Sequence, residues 1–434
     1  MPLLWAYRLL FLPLLLAASP YYVFRMLRRG GYGDSLGQRL GLWPALPPRR
    51  PGVARIWVQA VSVGEVEAIG PLLAELTSGG RAEIVLTATT STGLRVARER
   101  HAAACLAIGS FPLDFWPCSA AAWRTIGPDV AVLTEGELWP EHVRGQARAR
   151  GVPVALVNAR LSDRSFARHR RFRFLSSRLL AGLAWIGAGS EADARRLREL
   201  GATGAETTGN LKFDVAAEGA LPPEERRALR DALGLADNPG ALLVLGSSTW
   251  PGEETLLLRA VSELRAGGLD ARLLLVPRHA ERGDEVAREV RASGLPFHRR
   301  SVDGHRAPPG TVVHLADTTG ELRRLTRAAD LAFSGKSLPP HDGGQTPVEA
   351  AAAGVPLVYG PAMTNFRAVC AGLEAAGAAR RCDDAGAVAR EIAGLARDAG
   401  KRAAMAAAGP AWLSANRGAS ERTARGVLAL LQRR

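Results

Sequence analysis

Cysteine is scarce and scattered. Cys105, Cys118, Cys370 and Cys382 form no CxxC pair, so neither a disulfide framework nor a thiolate zinc site is indicated, and a reducing compartment fits. No histidines have the HExxH spacing, and no DxD-like pair sits in a convincing loop, so nothing in the sequence requires a metal. No GxGxxG follows the first apolar run, which argues against a dinucleotide oxidoreductase. Acidic residues are outnumbered, 42 against 56 basic ones, for a net charge of +14. Such a balance expects acidic partners, namely nucleic acid, a phosphorylated substrate or an anionic membrane, although an arginine-rich genome would produce it too. No nucleic-acid-binding motif is recognisable, so no nucleic-acid partner is expected.

What is present is globular. The 434 residues are 47% hydrophobic and 23% charged, enough apolar material for two cores. Residues 9–24 are uncharged and mostly apolar, with Arg8 before them and Arg25, Arg28 and Arg29 after. The run is somewhat shorter than the ~20 residues that span a bilayer. It reads as a single membrane anchor over 1–30, as a cleaved signal peptide ending near residues 17–19, or as a soluble core helix. The last is weakened by two prolines and by the position at the terminus. The arginines after the run place the bulk of an anchored chain in the cytoplasm.

After a Pro/Arg-rich linker at 44–52, short apolar runs at 55–61, 84–87, 104–108, 129–133, 154–157 and 185–188 alternate with helical-period segments. This is the pattern of a doubly wound parallel sheet. A polar stretch at 216–223 reads as an interdomain linker. Runs at 242–245, 273–276, 330–335 and 355–360 then repeat the alternation. The expected division is a Rossmann-like domain at 52–215 and a second at 224–434.

The loops after these strands carry the polar chemistry. Glu65 in Val61-Ser62-Val63-Gly64-Glu65 stands one turn into a helix, where it is either a capping-box partner of Ser62 or a general base. Residues 134–140 bring Glu135 and Glu137 together beside Trp139, and paired acids in one loop repel unless cations or hydroxyls separate them. Residues 158–165 lead into a helix with Arg168, Arg170, Arg171, Arg173 and Arg178, which is either a solvated face or a seat for phosphates or an anionic leaflet. In the second half, Gly246-Ser247-Ser248-Thr249 reads as a small-residue loop able to wrap a phosphate. Pro277-Arg278-His279 places a guanidinium at the same sheet edge. Residues 334–366 read as a strand, a loop with Gly343-Gly344, a helix over 346–353 and a strand. Glu349 there is either part of a Thr346 capping box or a ligand for a ribose. The local pattern does not separate the two, and convergence of the three loops on one sheet edge favours a site.

Seven of these stretches, VSVGE (61–65), TEGELWP (134–140), NARLSDRS (158–165), TGNLKFD (208–214), GSSTWPGEE (246–254), PRHAER (277–282) and GGQTPVEAAAAGVPLVYGP (343–361), in this order, resemble the 3-deoxy-D-manno-octulosonic acid (Kdo) transferases of lipopolysaccharide synthesis. The resemblance covers essentially the whole chain, including the apolar amino terminus. It implies a GT-B glycosyltransferase, two doubly wound Rossmann-like domains facing across a cleft, with an N-terminal membrane-anchor helix. The implied reaction is inverting, metal-independent transfer of Kdo from CMP-Kdo to a lipid A precursor (lipid IVA), without a cofactor, at the cytoplasmic face of the inner membrane. By motif match, Glu65 is the base, Glu137, Arg160, Ser162 and Lys212 surround the acceptor and the Kdo, and Ser247, Arg278, His279, Gly344, Glu349 and Asn365 hold the nucleotide, with Glu349 on the ribose. Where the family has GGHNP and TELWPN, this chain has Gly343-Gly344-Gln345-Thr346-Pro347 and Gly136-Glu137-Leu138-Trp139-Pro140-Glu141, and Lys336 is the candidate to supply the charge. The alternatives are another GT-B enzyme acting on a different sugar nucleotide and a non-catalytic membrane-associated binding protein.

Overall fold

The computed structural model describes residues 2–29, 33–215 and 219–432. Residues 1 and 30 of the expected anchor, the first three residues of the expected interdomain linker, and the side chains of Arg25, Arg28 and Arg29 lie outside the described residues. The chain divides into two compact units, Met1–Val215 with Asn416–Arg434, and Ala216–Ala415.

The first unit is built on seven parallel strands: β1 (Ala54–Ala60), β2 (Ala82–Ala88), β3 (Ala107–Ser110), β4 (Val130–Thr134), β5 (Val154–Ala159), β6 (Trp185–Ala188) and β7 (Ala205–Thr207). Their order is β3-β2-β1-β4-β5-β6-β7. The strands are near-continuous apolar runs because both faces of the sheet are covered. Alternate side chains serve the two layers: Ile56 and Val58 join the core under the helices Gly70–Thr77 and Ser91–His101, and Trp57 joins Trp123 and Leu133 on the other face. The order of strands reverses between β1 and β4, and an open α/β sheet binds ligands at the carboxyl ends of such a pair.

The second unit repeats the plan with β8 (Leu242–Thr249), β9 (Ala271–Pro277), β10 (Phe297–Arg299), β11 (Val313–Leu315), β12 (Leu331–Ser334), β13 (Leu357–Tyr359) and β14 (Ala379–Arg381). All are parallel, in the order β10-β11-β9-β8-β12-β13-β14, so its reversal lies between β8 and β12. The periodicity misses β7, β10, β11 and β14, each 3 residues long, because so short a run carries hardly one full alternation.

Three expectations are corrected here. The final helix, Ala419–Gln432, belongs to the first unit, not to a second domain running to 434. Its Ala424, Val427 and Leu430 enter the same core as Leu72 and Leu73. Its apolar stripe would fit either sheet, and only the crossing of the chain at Asn416 decides which one it covers. Second, 246–249 is no loop: β8 continues to Thr249 with an irregular register between Ser247 and Thr249, and Ser248 has φ 54°. Third, the helix expected over 346–353 is confined to Val348–Ala352.

The helix Pro2–Arg29 contains the apolar stretch Leu3–Tyr22, none of which is buried. Leu9, Leu14 and Leu16 are largely exposed. That excludes the soluble-core reading of this segment.

A chain ended at Ala415 is expected to expose the apolar surface under Ala419–Gln432. Hydrogen exchange should show β1 and β4 losing protection while β8 and β9 keep theirs.

Candidate active site

In the first unit the polar residues gather where β1 and β4 end. Glu65 lies in the helix Val63–Ala68 that follows β1, and its carboxylate folds back over the start of that helix. Oε1 accepts from Ser62 Oγ (3.0 Å), while Oε2 accepts from the Val61 N–H (3.0 Å) and from Thr134 Oγ1 (2.6 Å) at the end of β4. The expected capping box does not form: Ser62 caps no backbone N–H, and Glu65 accepts from the N–H of Val61, one residue before the N-cap. A helix of 6 residues has little dipole to offer, so these hydrogen bonds are what hold the carboxylate. An ionised carboxylate has about four acceptor positions. Among the described residues three are taken, two on Oε2 and one on Oε1.

Glu137 stands close enough to Glu65 to feel its charge. Its carboxyl is pushed up to about 7, first by burial and then by the charges of Glu65 and Glu135. Glu135, in contrast, faces cations. Its Oε1 accepts from Lys212 Nζ (3.3 Å) and lies 3.8 Å from Arg160 Nη1, and Asn158 Nδ2 reaches it at 3.5 Å. Arg160 and Lys212 are thus brought to the loop through Glu135. Ser162 is not, because it is the N-cap of the helix Asp163–Arg171, where its hydroxyl accepts from the Ser165 N–H.

In the second unit the corresponding crevice lies between β8 and β12. Ser247 pairs with Ser334 in register, and its hydroxyl has no hydrogen-bond partner among the described residues. The chain leaves β12 through Gly335, where a Cβ would collide with the Ser248 carbonyl. Glu253, fully buried, ties down the loop that follows by accepting from the N–H groups of Lys336 (2.9 Å) and Ser337 (3.1 Å). Lys336 Nζ sits 4.9 Å from the centre of the Trp250 ring, and His279 and His341 pack against the same ring. Arg278 follows β9 with an exposed guanidinium that makes no ion pair among the described residues. Gly343 and Gly344 have φ 110° and 68°, and side chains there would strike Asn365 and Met363. The Gly343 and Asn365 backbones are joined by a hydrogen bond, and the Gly344 N–H donates to the Lys336 carbonyl (3.0 Å). Ser247, Lys336, Gly344 and Asn365 therefore belong to one connected edge. Glu349 is half-buried in the short helix after it. On the threonine side of the expected capping box, the Thr346 hydroxyl accepts from the Val348 N–H (3.4 Å).

Four non-glycine residues among those described have positive φ: Glu135 (54°), Asn158 (50°), Ser248 (54°) and Lys336 (58°). All four stand at the carboxyl ends of β4, β5, β8 and β12. Such conformations cost about 1–3 kcal/mol each and collect at functional sites. Sequence reasoning did not assign roles to Thr134, Glu135, Asn158 or Trp250. Their positions inside the motifs at 134–140, 158–165 and 246–254 were the available signal.

The family model described as 3-Deoxy-D-manno-octulosonic-acid transferase (kdotransferase) matches residues 34–215. The chain is 36% identical over 423 residues to the 3-deoxy-D-manno-octulosonic acid transferase of Bordetella pertussis, covering 93% of this chain and 94% of that protein. It is 31% identical to the enzyme of the same name from Haemophilus influenzae, covering 95% and 93%. Among solved structures it is similar to Anabaena Alr3699/HepE in complex with UDP (TM-score 0.56, 17% identity, 88% of this chain and 98% of that one). It is also similar to the UDP-GlcNAc 2-epimerase of Neisseria meningitidis (TM-score 0.59, 13% identity, 86% and 100%). At those identities the likeness shows the fold alone, the GT-B arrangement of two doubly wound units. With the sequence match running nearly end to end, the chain belongs to the Kdo transferase family of glycosyltransferases.

Proposed function

We propose that the enzyme transfers Kdo from CMP-Kdo to a lipid A precursor, lipid IVA, with inversion and without a metal or cofactor. The observation that carries this reading is the Glu65 carboxylate, held by three donors at the β1/β4 reversal, two on Oε2 and one on Oε1. An acceptor hydroxyl donating to Oε1 loses its proton to Glu65 as its oxygen attacks the anomeric carbon of Kdo. The bond from that carbon to the phosphate breaks, and its electron pair leaves with CMP. One displacement inverts the centre. Arg278, Lys336 and Ser247 supply cations and a hydroxyl for the departing phosphate, so the developing charge is met by protein groups. Glu349 takes the ribose, and His279, Gly344 and Asn365 complete the nucleotide edge. Glu137, Arg160 and Lys212 surround the acceptor and the sugar, with Ser162 at the start of the neighbouring helix, and below about pH 7 Glu137 offers a proton to a sugar oxygen.

The acceptor's phosphates suit the arginines of the helices Asp163–Arg171 and Arg173–Leu180. Between and beside them Phe172, Phe174 and Leu175 are exposed, a mixture that fits an anionic bilayer surface. The amino-terminal helix is the anchor, and the arginines after it favour the cytoplasmic face. Tyr7 and Arg8 touch the folded unit, so the free apolar part runs from Leu12 to Phe24. That is about 13 residues, or ~20 Å, against ~30 Å of hydrocarbon. The free part of the anchor is accordingly shorter than the thickness of the hydrocarbon.

Three outcomes are expected. Glu65→Gln lowers kcat by about 10²- to 10⁴-fold while CMP affinity, read by calorimetry, stays close to wild type; wild-type turnover in the variant would remove Glu65 from the role of base. Because Glu137 ionises as pH rises through about 7, adding charge beside Glu65 and the Kdo carboxylate, kcat/KM should fall across that interval. The fall should vanish in Glu137→Gln. Dialysis against EDTA should leave transfer from CMP-Kdo to lipid IVA intact, and UDP-sugars should not replace the donor; mass spectrometry of the acceptor reads both.

A further inference from the structure

The helix Pro2–Arg29 carries a tyrosine and an arginine inside its apolar stretch, and both are used. Arg8 makes a two-pronged ion pair with Glu141, Nε to Oε2 and Nη2 to Oε1, each 2.8 Å. The glutamate is 0% exposed, and its Oε1 also accepts from Gln146 Nε2 (2.7 Å). Any side chain at Gly145 would press on the same carboxylate. The Tyr7 hydroxyl donates to Asp114 Oδ2 (2.6 Å), and this buried carboxylate accepts from the N–H groups of Glu141 (3.1 Å) and His142 (3.0 Å). Phe11 stacks on Phe115, 5.6 Å apart and 8° from parallel. Trp5 and Trp116 lie against the Arg8 guanidinium at 4.9 and 5.4 Å. A tether needs none of these contacts.

Glu141 opens the wide, π-type helical segment Glu141–Ala147, and the residues just before it are the loop that carries Glu135 and Glu137. The loop is therefore held at both ends. At one end Thr134 closes β4 and donates to Glu65. At the other, Asp114 and Glu141 grip the start of the next helix, and each takes a further partner from the amino-terminal helix. Burial pushes the Asp114 carboxyl up to about 7. The fully buried Glu141 is matched by Arg8, and a buried carboxylate stripped of its cation drives local rearrangement.

We propose that the amino-terminal helix is a positioning element of the active site as well as a membrane attachment. Tyr7 and Arg8 hold the acidic pair Asp114 and Glu141, and through it the loop that sets Glu137 beside Glu65. The kinetic part of this inference rests on the roles proposed above for Glu65 and Glu137; the structural part does not.

The test uses the full chain in lipid nanodiscs and compares wild type with Arg8→Met, Arg8→Lys and the double variant Arg8→Met/Glu141→Met. Hydrogen exchange of peptides covering 134–147, vesicle co-sedimentation, and kcat and KM for CMP-Kdo are read together. In Arg8→Met, exchange over 134–147 should rise about tenfold or more and kcat fall by a similar factor, with KM, co-sedimentation and exchange in the second unit unchanged. Arg8→Lys keeps the charge but loses the fork and should lie between. The double variant buries no unpaired charge and should recover most of the protection. Should Arg8→Met not fold, Tyr7→Phe, which deletes one hydroxyl, carries the same comparison with a smaller shift. Unchanged exchange over 134–147, or a loosened loop with unchanged kcat, would overturn the proposal. Exchange is read without turnover, so a wild-type protein inactive on CMP-Kdo would count against the proposed reaction and leave the structural result standing.

Discussion

Three carboxylates, Glu65, Glu135 and Glu137, share the carboxyl edge around β4, and like charges so close cannot all be accommodated in the same way. The first unit answers with three environments. Glu135 is compensated by Lys212 and Arg160, Glu65 is held by neutral donors from Ser62, Val61 and Thr134, and Glu137 keeps its proton to about pH 7 through burial beside the other two. One side chain type thereby supplies a group paired with cations, a group held by neutral hydrogen-bond donors, and a carboxyl group that titrates near neutrality. Separating similar groups by environment is how acid and base roles are assigned within one site.

The second unit meets a different demand at the same topological place. Its β8/β12 edge offers small residues, close backbone approach and cations: Ser247, Gly335, Gly343 and Gly344, with Lys336 and Arg278. Of the acids there, Glu253 is turned inward to accept backbone N–H groups and so shapes the loop. The two sheets are thus alike in winding and differ in the side chains gathered at the edge. Strained residues at the strand ends of both units, Glu135, Asn158, Ser248 and Lys336, show that each edge is bent away from its easiest backbone path.

The amino-terminal helix is joined to the first unit through Tyr7 and Arg8. An apolar helix with an arginine in its second turn is costly in hydrocarbon unless the charge is matched, and here Glu141 matches it within the protein.

Much of this was legible beforehand. The alternation of apolar runs with helical segments determined two doubly wound sheets, since strands covered on both faces must be apolar throughout. The motifs after the strands placed Glu65, Glu137, Arg160, Lys212, Ser247, Arg278, Gly344, Glu349 and Asn365 at strand ends, because a loop's place on the sheet edge follows from its place in the chain. Tertiary structure alone decided the rest. It chose which core the last helix fills, because a stripe of alanine and leucine does not name its partner. It made Glu135 the residue that gathers Arg160 and Lys212, and left Ser162 to cap the next helix. It also set Arg8 on Glu141 across 133 positions of chain, a pairing of charges that no local pattern records because only the folded backbone brings them within reach.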